Sequence, residues 1–165
     1  MRNKYVLIAL VFLSLAISRS ASASYFYSVA ASCLPSSAAV QGNLYASGSG
    51  VVTHAAGVLT EIQFVCPISM AISAPAALKL QYSSTENNAS TYVTASYYKM
   101  KLSTGVSTLI TSVGSLSGTN NGTVKAVSGS FTDSYDLSTY TYYVVISLQR
   151  RNTSQTVNAY SVSVE

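Results

Sequence analysis

Between Ala76 and Ser83 the large apolar side chains fall at every second position. Ala76, Leu78, Leu80 and Tyr82 share one face, and Ala77, Lys79, Gln81 and Ser83 share the other. A period of two sends successive side chains to opposite faces of an extended backbone, so the segment reads as a strand with one side on a core and one in water. The pattern returns three times. Val58 to Cys66 places Val58, Ile62, Phe64 and Cys66 inward, with Glu61 and Gln63 outward. Tyr140 to Gln149 places Tyr140, Tyr142, Val144, Ile146 and Leu148 on one face. Val157 to Val164 points Tyr160, Val162 and Val164 inward. No stretch of residues 24–165 carries a convincing helical period.

Five weaker segments have the same character: Tyr25 to Ala30, Ala39 to Ala46, Thr91 to Leu102, Val106 to Val113 and Gly122 to Phe131. Turn chemistry separates most of them. Ser47-Gly48-Ser49-Gly50 is a small flexible break and Glu86-Asn87-Asn88 a polar tip. Asn121-Gly122 suits a tight hairpin, because both residues tolerate positive φ. Roughly eight to ten short strands therefore predict an all-β chain folded as an antiparallel β-sandwich, in the manner of a jelly roll, with a closed barrel as the alternative. Outward positions occupied by Ser, Thr, Lys and Gln argue against an outer-membrane barrel, whose outer wall is apolar.

The first residues follow a different logic. Arg2 and Lys4 precede a run of thirteen residues, Tyr5 to Ile17, in which only Tyr5 and Ser14 are not apolar, and Ala21-Ser22-Ala23 closes the segment with small residues. This is the three-part pattern of a cleaved signal peptide over residues 1–23, leaving 24–165 as a single domain. The run is shorter than the ~20 residues a spanning helix needs, and no later segment approaches that length, so no membrane span is expected in the mature chain. Three of the nine Lys and Arg residues lie in the leader. Beyond it, Lys79, Lys99, Lys101, Lys125, Arg150 and Arg151 face Glu61, Glu86, Asp133, Asp136 and Glu165, six cations against five anions. Nucleic-acid binding, which needs clustered cations to displace counterions, loses its support.

Cys33 and Cys66 are the two cysteines. In an exported chain a disulfide between them is the expectation, since neither belongs to a CxxC motif or stands beside a basic residue. Cys33 comes early, an alternating strand leads into Phe64-Val65-Cys66-Pro67-Ile68, and Tyr142-Tyr143-Val144-Val145-Ile146-Ser147-Leu148 precedes the last strand. In these features the chain resembles a loosely defined set of small secreted bacterial proteins with an early Cys, a Cys-Pro-Leu/Ile step and a Tyr-rich penultimate strand. The resemblance implies a β-sandwich and a disulfide. It supplies no activity and no site residues.

Catalytic chemistry has little to draw on. His54 is the single histidine, so a Ser-His-Asp triad would have to join it to Asp133 or Asp136, and no G-x-S-x-G elbow is present. One His and two paired Cys cannot build a zinc site. Asp133-Ser134-Tyr135-Asp136 offers oxygen ligands of the kind Ca²⁺ takes, but turn residues bonding nearby backbone explain it better. Asn88, Asn121 and Asn152 begin Asn-x-Ser/Thr triplets, which recur by chance in a chain this rich in Ser and Thr. No catalytic residue, metal or cofactor is therefore expected.

Tyrosine stands out, at thirteen residues with no Trp. Tyr140, Tyr142 and Tyr160 read as core, and Tyr97 and Tyr143 read as outward-facing surface contacts. An exposed Tyr among hydroxyl and amide side chains can stack on a sugar ring or anchor a protein. The expectation is a non-catalytic secreted or periplasmic module acting by surface contact, its partner a glycan or a cell-surface protein. The alternatives are a structural subunit of an extracellular assembly and a small hydrolase.

Overall fold

The computed structural model describes residues 26–37, 43–46, 50–68, 76–86, 90–115 and 121–165. The expected leader 1–23, Ser47 to Ser49, Asn87-Asn88 of the polar tip, and Gly118 to Asn120 lie outside them. Eleven strands are described: β1 (Phe26–Val29), β2 (Leu34–Pro35), β3 (Leu44–Ala46), β4 (Val52–His54), β5 (Ile62–Ile68), β6 (Ala77–Ser84), β7 (Tyr92–Lys101), β8 (Ser107–Gly114), β9 (Lys125–Ser130), β10 (Tyr140–Gln149) and β11 (Val157–Val164). One short 3-10 turn, Ala30–Ser32, links β1 to β2.

The strands form two antiparallel sheets. One runs β3-β4-β11-β6-β9, with β1 also pairing β11; the other runs β2-β5-β10-β7-β8. From β4 to β11 consecutive strands alternate between the sheets, except at β7 and β8, which form a hairpin in one sheet. That is the jelly-roll arrangement of a sandwich, and the closed barrel is excluded. The hairpin turns at Ser103 to Gly105, where Gly105 has φ 69° and its N–H bonds the Lys101 carbonyl at 2.8 Å. Asn121-Gly122, expected to close a tight hairpin, does not. Gly122 has the positive φ, 80°, but β8 and β9 belong to different sheets, and the segment crosses between them, its Gly122 N–H bonded to the Ser84 carbonyl.

The core lies between the sheets. Ile62, Phe64, Cys66 and Ile68 of β5, Tyr142, Val144, Ile146 and Leu148 of β10, and Val93, Ala95 and Tyr97 of β7 meet Leu78, Leu80 and Tyr82 of β6 and Val157, Ala159, Val162 and Val164 of β11. The strong alternations bury the faces they predict along the middle of each strand, but Ala76 is exposed, and Val58 and Tyr140, expected inward, are only half-buried because they stand before or at the start of their strands, where the opposite sheet covers less. The last strand departs further. The register of β11 against β6 shifts between Ala159 and Ser161. This bulge inserts one residue, Tyr160, so that the inward set is Val157 and Ala159 before it and Val162 and Val164 after it. Tyr160 is partly exposed rather than core, and its hydroxyl bonds Ser83 Oγ at 3.2 Å.

Cys33 and Cys66 form the expected disulfide, with Cα atoms 4.5 Å apart. Cys33 follows the crossover from one sheet to the other, and Cys66 sits on the inner face of β5. The bond fastens the chain's entry strand to the core.

Candidate functional site

The outer face of the β2-β5-β10-β7-β8 sheet carries the surface aromatics. Its geometry follows from register. Tyr143 of β10 lies opposite Pro67 of β5 on one side and Tyr98 of β7 on the other. Tyr98 in turn lies opposite Leu109 of β8. Pro67, Tyr143, Tyr98 and Leu109 therefore form one row across four strands, roughly 14 Å long at the usual strand spacing. The two rings stack, their centroids 5.4 Å apart and their planes inclined by 13°. Tyr143 leans across Tyr98 far enough to donate its hydroxyl to Ser107 Oγ of β8 at 2.8 Å.

A second row runs parallel to the first: Leu34, Val65, Val145, Ser96 and Ser112. It is aliphatic toward β2 and hydroxylic toward β8, where Ser96 and Ser112 share a 3.0 Å hydrogen bond. Beyond it stand Gln63, Ser147 and Thr94. Leu34 is 65% exposed and Leu109 51%. The face is thus an uncharged strip with stacked aromatics, bordered by hydroxyl and amide groups. Single exposed apolar residues are ordinary; here four strands bring such residues into one row.

The two tyrosines expected at the surface part company. Tyr143 is on the outer face. Tyr97 is not: it is 0% exposed and packs against Phe131 at 5.3 Å and Tyr142 at 6.0 Å. The correction has a simple cause. Adjacent residues of a strand face opposite ways, and Val93 and Ala95 take the inner face, so Tyr97 follows them and Tyr98 takes the outside. Tyr98 is the residue that sequence reasoning missed, and the parity of Val93 and Ala95 was the available clue. Burial pushes the Tyr97 phenol well above the usual range, reinforced by Tyr135, Tyr142 and Asp133 nearby.

The groups considered for catalysis are far apart. His54 is buried beside the end of β10, where its Nε2–H donates to the Thr60 carbonyl at 3.0 Å. Burial, with Arg150 nearby, holds its pKa below the ordinary 6.5 despite the Thr60 bond. Arg150 is itself buried and donates to the carbonyls of Val58 at 2.7 Å and Ala55 at 2.9 Å. Asp133 and Asp136 lie by the start of β10. Asp133 pairs with Lys99 at 2.8 Å, and the Asp136 backbone N–H bonds the Tyr142 hydroxyl at 2.9 Å. Ten strand residues, about 30 Å, separate the two ends, so His54 forms no triad with either aspartate. Asp136 Oδ1 accepts from the Ser138 N–H and Oγ, the turn role expected of it. Among the described residues no three His, Cys, Asp or Glu side chains gather as metal ligands, and no helix is long and apolar enough to cross a membrane.

No family model matches this chain. No curated protein matches it either. Among solved structures it is similar to the CBM36-1 domain of a multidomain xylanase from the hindgut metagenome of Trinervitermes trinervoides, at 8% identity and a TM-score of 0.49, covering 86% of this chain and 97% of that one. It is also similar to CBM86, a low affinity xylan binding module from Roseburia intestinalis, at 16% identity and a TM-score of 0.48, covering 86% and 95%. A third is the xylan-binding module CBM15, at 15% identity and a TM-score of 0.45, covering 73% and 80%. With every TM-score below one half, these likenesses carry no argument about function.

Proposed function

We propose that the protein is an exported, non-catalytic β-sandwich module that binds glycans through the outer face of its β2-β5-β10-β7-β8 sheet. The observation that carries this reading is the stacked Tyr98–Tyr143 pair, set in an uncharged row and bordered by Ser107, Ser96, Ser112 and Thr94. Sugar rings present apolar C–H faces and polar edges. A ligand of that kind is met by aromatic surface for the first and hydroxyls for the second. The disulfide and the leader expected over residues 1–23 favour an oxidising compartment outside the cytoplasm. A glycan array read with the protein cleaved after Ala23, followed by calorimetry on the hits, tests the reading. Tyr98→Ala and Tyr143→Ala should each weaken binding about tenfold or more while the melting transition persists. Retained binding in both variants would count against it.

A second reading, assembly by strand addition, draws on the position of β8 and β9 at the ends of their sheets. The register break between Tyr97 and Tyr98, which leaves Ile110 unpaired on β8, bends that edge and weighs against it. Light scattering across a concentration series separates the two: glycan binding needs only the monomer.

A further inference from the structure

The binding face does not end at the edge of its sheet. Between β8, the last strand of that sheet, and β9, the last strand of the other, lies a cleft of about 420 Å³. Thr94, Ser112 and Gly114 line it from one sheet and Val127, Ser128 and Gly129 from the other. Its base is closed where the sheets touch: a Cβ on Gly129 would stand only 2.6 Å from Val113 Cγ1, so glycine is what permits the approach. The volume lies within the range of small-ligand pockets. No lining residue is charged. Thr94, Ser112 and Ser128 are its hydroxyl-bearing residues, and edge strands leave backbone N–H and C=O groups on their open side.

The cleft is continuous with the aromatic row. Thr94, Ser96 and Tyr98 share one face of β7, so about 13 Å of strand joins the two. Ser96 and Ser112, bonded to each other, stand between them.

We propose that this cleft is a second subsite for the glycan held by Tyr98 and Tyr143, and that the ligand is a neutral oligosaccharide chain rather than a terminal sugar or an acidic glycan. The inference rests on the platform reading above. An acidic chain would find no cation in the lining, and the nearest, Lys79 opposite Ser128, is already paired with Glu165, so its carboxylates would gain little there. A single sugar would leave either the rings or the cleft unused.

Calorimetry with neutral β-linked gluco- and xylo-oligosaccharides, from monosaccharide to hexasaccharide, tests this with a polyuronate as the acidic probe. In the unaltered protein, affinity should rise by at least about tenfold with chain length before it levels. Ser128→Trp, which adds bulk to the cleft, should abolish that rise while leaving disaccharide binding intact; Ser128→Phe serves if the first variant fails to fold. Tyr143→Ala should weaken every length. Affinity independent of length, or Ser128 variants that bind like the parent while Tyr143→Ala does not, would overturn the second subsite and leave the platform standing. Tighter binding of the polyuronate would overturn the neutral class. Binding indifferent to Tyr143, or no binding of any probe, would overturn the platform reading itself.

Discussion

Tyr98 and Tyr143 stack across β7 and β10 with planes 13° apart, and the Tyr143 hydroxyl reaches over to Ser107 on β8. Three strands are tied together on a face that the core does not require. The pair therefore has two separable roles, one in holding the sheet and one in contact, and a double-mutant cycle measures the first. Replacing Tyr98 and Tyr143 by Ala singly and together should give a coupling energy of about 0.5–1.5 kcal/mol in denaturant unfolding, the usual range for aromatic pairs. A coupling near zero would mean that the rings merely lie near one another.

Tyr97 should behave as core. Its hydroxyl is buried and meets no hydrogen-bond partner among the described residues. Tyr97→Phe should then be neutral or stabilising, since it removes an unsatisfied polar group without changing the ring. Tyr97→Ala should cost about 3–5 kcal/mol by opening a cavity against Phe131 and Tyr142. Urea unfolding of the two variants checks both. A clear loss in Tyr97→Phe would reveal a bond at that hydroxyl.

The Cys33–Cys66 bond closes a loop with a sequence separation of 33. Reducing it, or replacing both cysteines by Ala, should lower stability by roughly 3.5–4 kcal/mol in the chain-entropy account. Thermal unfolding with and without reductant measures this, and native protein should yield no thiol to alkylation.

Acid should destabilise the fold through His54. Its folded-state pKa is held below 6.5, by burial first and Arg150 in addition, so the unfolded chain binds the proton more readily. Stability should be at its full value above pH ~6.5 and decline as the pH falls from there through the folded-state value. Glu165, whose pKa is lowered chiefly by its bond to Lys79, adds a loss only below its ordinary 4.5. His54→Gln should flatten the profile just below pH ~6.5 while leaving the more acidic limb. An unchanged profile would assign the upper limb to another group.

The reading from sequence was strongest where one face of a strand is apolar throughout. Leu78, Leu80 and Tyr82, or Val144, Ile146 and Leu148, can satisfy a period of two in only one way, so their burial follows from the residues themselves. The disulfide was legible because two cysteines allow a single pairing. In β7 both faces carry aromatics, Tyr97 on one and Tyr98 on the other, and the only local mark of the inner face is the small apolar pair Val93 and Ala95. The register with β10 then sets Tyr97 beside Val144 and Tyr98 beside Tyr143. The bulge at Tyr160 and the crossing of Asn121-Gly122 between sheets likewise depend on which strand is the neighbour. The chain by itself determined that it would fold as alternating strands around an apolar layer, because side-chain parity is a property of the extended backbone. Only the tertiary structure decided that Pro67, Tyr143, Tyr98 and Leu109 make one row, because alignment across strands is set by hydrogen bonding between segments far apart in sequence.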